Sequence, residues 1–389
     1  MGKRIGSIDL FRGLCIFIMF LSHLGIWWIS SEEYQVFFMY VWQPIGRPIA
    51  KGSGFILISG VSVALSYSKN IVDDHNFFEE KKRIWRNKSY IRAIVLFIIA
   101  ILVNLLIMSF DPNAKIYDWW ILVTLSICLF CTWELMKLSI KSRIVFGIGW
   151  IGLNHFINML FYNYRNLSIF SDFLMEFFYP IDPGQNSILV FFPFFIFGTV
   201  LGSILSNIDF DRTDNMREFF KSFTLPLILA SFSAIILGVT FQFPNYIIAN
   251  TTSFVIFALG LDSLILCLLI TLEKKTQINF NPKSSPFYYY SYYSLTLFAF
   301  HYIFFPFSFI WALDFITFWY VLFIALVPFT LFLVSMYKKV AGLFSIKYVV
   351  TVVSEFIAMK IDEISFQSEE PKAFKNLISK LKINLANKI

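Results

Sequence analysis

Long apolar stretches alternate with short polar segments along the whole chain. Each stretch is close to the ~20 residues that a helix needs to cross a bilayer. The pattern predicts an all-α polytopic membrane protein with about ten transmembrane helices. The predicted spans are 8–28, 49–67, 91–109, 118–136, 144–162, 187–206, 222–241, 248–272, 288–309 and 316–336.

The segment at 341–359 is also apolar, but Lys347 and Glu355 interrupt it. We interpret it as a cytoplasmic or interfacial helix, with an eleventh span as the alternative. Residues 1–340 are therefore the predicted transmembrane domain and 341–389 a cytoplasmic or interfacial tail. From about Phe374, apolar residues share one helical face while lysines occupy the rest, which is typical of a helix lying on a membrane surface.

The basic residues fall mostly on one predicted side of the membrane. One side of the membrane would carry the basic residues Lys3 and Arg4, those of the loop 68–90 and those of the tail. Few basic residues would lie on the other side. Because Lys and Arg concentrate in cytoplasmic loops, both termini are predicted to be cytoplasmic in the cell membrane. An apolar run interrupted by charges does not resemble a cleavable signal.

Composition agrees with this class. Charged residues are 15% of the chain and hydrophobic residues 58%. The net charge of +7 is explained by topology and by attraction to anionic lipid, so we expect the bilayer, and no nucleic acid, as a partner. The oligomeric state is left open by the sequence.

The first span carries Asp9, Arg12 and His23 within its apolar run. Ionisable groups at membrane depth cost about 2.5 to 3.5 kcal/mol on insertion scales and usually have a function. Arg12 and His23 are eleven residues apart, so they project within about 20° of each other on a helix. Asp9, three residues before Arg12, is placed to pair with it. We interpret Arg12 as an anion-binding group and His23 as a general base. The alternative is a snorkelling arginine and a structural histidine.

Other polar and aromatic positions allow two interpretations each. His301 in the ninth span lies near the predicted depth of His23 and is either a second catalytic imidazole or a structural one. Small residues of the second span, including Ser59 and Ser62, favour close helix packing, and they would also let a thin ligand arm pass. Gly198-x-x-x-Gly202 is interpreted as a packing site. The predicted outer aromatics are either interfacial anchors or a stacking surface for a sugar acceptor. They are Trp27, Trp28, Tyr34, Tyr40 and Trp42.

The Cys128-x-x-Cys131 spacing lies within an apolar helix, where thiols are usually core residues. No metal is expected. A proton-coupled transporter or flippase that uses Asp9, Arg12 and His23 as a relay is the alternative function. Transporters often contain paired halves, and the charged first helix has no second copy in the chain.

Four patches resemble a known family of membrane enzymes. RIGSIDLFRGLCIFIMFLSHLGIWW at 4–28 resembles prokaryotic members of the heparan-alpha-glucosaminide N-acetyltransferase catalytic-domain family. Gly54–Ser68, Phe191–Leu205 and Ser294–His301 extend the likeness, with Phe298 where the family usually has Tyr. Arg12 followed by ten residues and His23 also resembles the R-x10-H signature of the wider acyltransferase-three superfamily.

The resemblance implies transfer of an acyl group, usually acetyl, from cytoplasmic acyl-CoA to an acceptor across the membrane. The acceptor would be a glycan or another hydroxyl or amine compound, with acetyl-CoA as co-substrate. The superfamily implies His23 as the catalytic base, and His301 could assist. We expect Arg12, oriented by Asp9, to neutralise CoA phosphates, and the pantetheine arm to pass Ser59 and Ser62.

Overall fold

A computed structural model of the protein describes residues 5–71, 78–109, 114–116, 118–161, 185–208, 216–276, 285–340 and 344–361. These residues are almost entirely helical, and none of them forms a strand. The helices are α1 (Gly6–Trp28), α2 (Tyr34–Phe37), α3 (Arg47–Ala50), α4 (Ser53–Ile71), α5 (Phe78–Met108), α6 (Ile121–Phe130), α7 (Thr132–Lys137), α8 (Ile140–Phe161), α9 (Ile188–Ser206), α10 (Met216–Phe219), α11 (Leu225–Phe241), α12 (Thr252–Thr276), α13 (Phe287–Tyr292), α14 (Ser294–Phe300), α15 (Phe315–Val340) and α16 (Ile346–Ile361).

Short irregular helices connect several of these elements. Residues Phe38–Gly46 and Phe220–Thr224 are π-helical, and Asn245–Ile247 and His301–Phe309 are 3₁₀-helical. The last of these begins at His301, directly after α14, and contains Pro306. The functional histidine predicted in the ninth span therefore lies where a regular helix ends.

Seven helical segments of the described residues are long and apolar enough to cross a membrane: Gly6–Trp28, Arg47–Lys69, Lys82–Met108, Ile188–Ser206, Met216–Phe241, Thr252–Thr276 and Phe315–Val340. They confirm the predicted all-α polytopic membrane class. Of the other predicted spans, 118–136 consists of α6 and α7, which meet at a turn at Cys131, and 288–309 is divided between short helices. The total of ten spans stays a prediction.

Close packing of α4 against α9 forms the centre of the molecule. A Cβ atom added at Gly198 would collide with the backbone of Leu57, and one at Gly202 with that of Val61. Gly60 of α4 makes the reciprocal approach to the backbone at Phe195. The predicted packing role of the Gly198-x-x-x-Gly202 motif is confirmed, because only glycine leaves room for the neighbouring backbone.

Both ends of α1 are held by other parts of the chain. The backbone N–H groups of Gly6 and Ser7 donate hydrogen bonds of 2.8 and 2.7 Å to the Glu273 carboxylate at the end of α12. At the other end, Ser30 donates to the Leu313 carbonyl and Leu313 to the Trp28 carbonyl, both at 2.8 Å. These contacts fix the position of the helix that carries His23.

The segment interpreted as a possible interfacial helix forms α16, which packs against α5. Lys88 and Glu355 form an ion pair at 3.1 Å, and Arg92 donates to the Thr351 hydroxyl at 3.3 Å. The amphipathic helix predicted from Phe374 lies outside the described residues.

Candidate active site

A cavity of about 540 Å³ contains both histidines of interest. We call it the histidine cavity. Its walls come from α1, the connection between α1 and α4, the far end of α5, the start of α6 and the segment around His301. The described lining residues are Cys15, Ile16, Met19, His23, Ile26, Trp27, Tyr34, Phe38, Trp42, Arg47, Ile49, Lys51, Phe55, Ile107, Trp120, Ile121, Asn186, Phe298, His301 and Tyr302.

The imidazole rings of His23 and His301 lie against each other, with centroids 4.6 Å apart and planes inclined by 55°. They are 278 residues apart in the chain, so only the tertiary fold brings them together. Trp27 covers His301 in a nearly parallel stack at 5.7 Å, and the Tyr302 ring lies 4.6 Å from His301. The two histidines predicted at similar depth thus share one aromatic-walled cavity.

The contacts of His301 determine which of its nitrogens carries the hydrogen. Nδ1 lies 2.6 Å from the backbone carbonyl of Phe298. Because a carbonyl oxygen only accepts hydrogen bonds, the hydrogen of the neutral ring is on Nδ1 and Nε2 has a lone pair. Among the residues that the structure describes, Nε2 of His301 has no hydrogen-bond partner and is buried. His301 therefore presents an unused proton acceptor beside His23.

The predicted aromatic residues divide between the cavity and other surroundings. Trp42 lines the histidine cavity. Trp28 is only 1% exposed and packs into a separate apolar cluster, while its indole N–H donates to the Phe304 carbonyl at 3.3 Å. Tyr40 is 71% exposed. Neither Trp28 nor Tyr40 is among the described lining residues, whereas Trp27 and Tyr302 are.

The predicted Asp9 and Arg12 pair forms with an N–O distance of 3.1 Å. Arg12 is buried, and its guanidinium also reaches the hydroxyls of Ser62 at 2.5 Å and Ser291 at 3.5 Å. Ser291 in turn donates to Asp9 at 3.1 Å. Arg12 therefore joins α1, α4 and α13, next to the described cavity lining rather than within it.

Ser59 and Ser62 lie on α4 outside the described lining of the cavity. Their hydroxyls donate to the carbonyls of Phe55 and Ile58 in their own helix, both at 2.7 Å. Such back-bonding leaves a narrow side chain at each position. Their predicted contact with the donor stays a prediction.

Arg47, Lys51 and Asn186 also line the cavity, and the sequence did not predict them as site residues. Tyr34, one of the predicted outer aromatics, lines it too. Asn186 donates to the Lys51 carbonyl, and Arg47 donates to the Ile247 carbonyl at 2.8 Å. Burial raises the pKa of the Tyr34 hydroxyl here, although nearby Arg47 lowers it in part. Tyr34 therefore stays neutral near pH 7 and can act as a hydrogen-bond donor.

Within the described residues, no three His, Cys, Asp or Glu side chains come together in a possible metal site. Cys128 and Cys131 are free thiols, and Cys128 is buried. The polar groups that line the histidine cavity include imidazole, thiol, guanidinium, ammonium, hydroxyl and amide groups.

The sequence of residues 4–236 matches the family described as heparan-alpha-glucosaminide N-acetyltransferase, catalytic. This range covers more than half of the chain, including α1 and His23. The protein belongs to this family. The match confirms the resemblance noted from the first three sequence patches, whereas the fourth patch, with His301, lies beyond the matched range. No curated protein matches the chain.

Membership makes the molecule a transferase-family membrane protein of the acetyltransferase type. Its histidine cavity combines residues from inside and outside the matched range. His23 and Trp27 come from the matched part, and His301 and Tyr302 from the part that follows. Trp27 was already among the predicted outer aromatics, and its position one helical turn after His23 puts both residues on one face of α1.

Proposed function

We propose that this protein is a membrane acyltransferase that moves an acyl group, most simply acetyl, from acyl-CoA to a hydroxyl or amine acceptor. The observation that carries the proposal is the pairing of His23 with His301 in one cavity of an acetyltransferase-family protein. Acyl transfer from a thioester needs a base near the acceptor and a proton for the departing thiolate. Imidazole suits both tasks near neutral pH.

In the proposed reaction, the acceptor hydroxyl or amine attacks the thioester carbonyl. His23 takes the acceptor proton as the new C–O or C–N bond forms, and the C–S bond breaks. The His23 imidazolium then returns this proton to the CoA thiolate, which leaves as free thiol. General-base help of this kind contributes roughly 10²- to 10⁴-fold to the rate.

His301 holds the acceptor in this scheme. Its Nε2 lone pair accepts a hydrogen bond from the acceptor O–H or N–H group, because Nδ1 is already engaged by Phe298. Trp27, Trp42 and Tyr302 would stack against a sugar ring. A glycan or a small hydroxyl or amine compound fits this lining.

Arg12 and Asp9 position the catalytic helix in the proposal. The earlier expectation that Arg12 neutralises donor phosphates stays a prediction, and its contacts with Ser62 and Ser291 support a role in holding α1. The positive-inside pattern supports a donor entrance in the cytoplasm and an acceptor on the outer side of the cell membrane.

The experiment measures free CoA released by the purified protein from acetyl-CoA, with and without a library of amine- and hydroxyl-bearing glycans. The proposal predicts CoA release that requires an acceptor and an acetylated product in equal amount. A proton-coupled transporter or flippase would release no CoA with any acceptor, and that result would contradict the proposal.

A further inference from the structure

A second, smaller cavity of about 180 Å³ lies between α5 and α16. We call it the Lys88 cavity. Its polar lining includes Ser66 of α4, Lys88 and Arg92 of α5, Thr132 of α7 and Glu355 of α16, and Trp85 closes one side. It shares no described lining residue with the histidine cavity. None of its described lining residues has a role in the reaction proposed above.

The charges of this cavity favour an anion. Lys88 and Arg92 lie four residues apart on one helix, an arrangement in which like charges repel. Glu355 pairs with Lys88 at 3.1 Å and also attracts Arg92 electrostatically. Arg92 donates a hydrogen bond to the neutral Thr351 hydroxyl at 3.3 Å. The lining thus carries two cations and one carboxylate among its described residues, so one positive charge is left in excess.

Water and ligands can reach the ion pair, because the side chains of Lys88 and Glu355 are 26% and 39% exposed. Exposed ion pairs contribute only about 0 to 1 kcal/mol. A phosphate group, with more charge and more acceptor oxygens than a carboxylate, would therefore replace Glu355 at little cost. The carboxylate occupies the place that an anionic ligand would take.

The two cavities lie along the same three helices. Helix α4 contributes Phe55 to the histidine cavity and Ser66 to the Lys88 cavity. Helix α5 contributes Ile107 to the histidine cavity and Arg92 to the Lys88 cavity. Helix α6 contributes Ile121 to the histidine cavity and Leu129 to the Lys88 cavity.

The distance between the two cavities matches the length of a long, thin ligand. Phe55 and Ser66 are eleven residues apart, which places them on one face of α4 and about 16 Å apart along its axis. The narrow residues Ser59 and Ser62 lie on this face between them. An extended pantetheine arm has this reach and this thin shape.

We infer that the Lys88 cavity binds a phosphate group of the acyl donor, with Lys88 and Arg92 as its ligands and Glu355 as the group it displaces. The inference rests on the proposed function for the identity of the donor. It gives the donor a phosphate site on α5 and α16 and a thioester site beside the histidines. A phospholipid headgroup offers the same phosphate chemistry, so the test must distinguish the two sources.

The test measures CoA binding to the purified full chain by calorimetry. Lys88→Gln and Arg92→Gln should each weaken binding about tenfold, equivalent to roughly 1.4 kcal/mol. Glu355→Gln should instead strengthen it severalfold, since the competing carboxylate is gone; a folding defect would not produce that gain. Lys137→Gln is the matched control, because Lys137 also pairs with a glutamate, Glu134, at 2.9 Å outside the cavity. Its CoA affinity should equal that of the wild type.

A second arm compares acetyl-CoA with S-acetylpantetheine, which has the thioester but no phosphate. The Lys88→Gln variant should have a raised KM for acetyl-CoA and an unchanged KM for S-acetylpantetheine. Equal losses with both donors, or equal behaviour of Lys88→Gln and Lys137→Gln, would overturn the inference.

The lipid arm repeats the calorimetry in nanodiscs of phosphatidylcholine with and without phosphatidylglycerol. The inference predicts the same Lys88 effect in both. An effect of Lys88→Gln that appears only with phosphatidylglycerol would assign the site to a lipid headgroup and overturn the inference.

Lys88-dependent CoA binding without acetyl transfer would reject the proposed function alone. Turnover with unchanged CoA affinity in the variants would reject the phosphate site alone, and a wild type that neither binds nor uses CoA would reject both.

Discussion

At the scale of single residues, the account depends first on His23. Its ring lines the cavity and contacts His301, so His23→Ala should remove the base without removing packing at the helix ends. Acceptor-dependent CoA release should fall at least about 100-fold, the lower range of general-base catalysis, while CoA affinity stays near that of the wild type. Initial rates and calorimetry on the same preparation check both. Activity within a few-fold of wild type would exclude His23 from the reaction.

His301 should behave differently, because its proposed task is to hold the acceptor. His301→Gln should mainly raise the acceptor KM, with a smaller effect on the KM of acetyl-CoA, and saturation curves for each substrate measure this. His155→Gln is the control: His155 is half-buried in α8, bonded to the Thr252 hydroxyl at 3.2 Å, and outside the cavity. A loss of kcat alone would argue against acceptor binding by His301.

We expect Arg12 to hold α1 in position rather than to contact the substrates. Arg12→Ala should remove the buried guanidinium that joins Asp9 to the hydroxyls of Ser62 and Ser291, and breaking a buried ion pair costs about 3 to 5 kcal/mol. The apparent Tm in detergent should fall clearly. Arg12→Lys should recover part of it, since ammonium keeps the charge but not the planar fork. An unchanged Tm together with weaker CoA binding would restore the donor-binding role predicted from sequence.

At the scale of elements, α1 is the helix whose position matters most. Both oxygens of Glu273 accept hydrogen bonds from its first turn, where a negative charge also favours the helix dipole. Glu273→Gln retains only one acceptor oxygen and no charge, so it should lower unfolding stability by about 1 to 3 kcal/mol.

Thermal unfolding followed by circular dichroism would measure this change. Glu134→Gln is a suitable comparison, because the Glu134 side chain is 66% exposed and pairs with Lys137, one turn away on the same helix. Equal Tm values for the two variants would show that Glu273 does not hold the start of α1.

The helices also show how much of the fold could be predicted from the sequence. Hydropathy predicted the long apolar helices, because a lipid environment requires long unbroken runs. The turn at Cys131 and the change to 3₁₀ geometry at His301 lie within apolar runs and leave no mark on hydropathy. Helix periodicity predicted the Asp9 and Arg12 pair, since that contact lies within one turn.

The aromatic residues show where such prediction stops. Adjacent residues on a helix project about 100° apart, so Trp27 faces the cavity while Trp28 packs elsewhere. The sequence offered Trp27 and Trp28 alike as interfacial anchors or as a stacking surface, because hydropathy does not report how a helix is rotated. Contact between His23 and His301 depends on the whole tertiary fold. The sequence could therefore predict only that the two residues lie at a similar depth in the membrane.

At the scale of the whole molecule, two cavities lie one after the other along α4, α5 and α6. The proposed base, His23, lies on the first helix, and the family match supports the acetyltransferase class. The distribution of basic residues predicts that the end near the Lys88 cavity faces the cytoplasm. Donor and acceptor should therefore approach from opposite sides.

Sealed vesicles of known orientation test this claim most directly. Acetyl-CoA should support transfer only when added to the face that carries the loop 68–90, and a membrane-impermeant acceptor should be acetylated only when supplied on the other face. Transfer with donor and acceptor both confined to the face of that loop would contradict the account, because His23 would then lie too far from the entrance to act as the base.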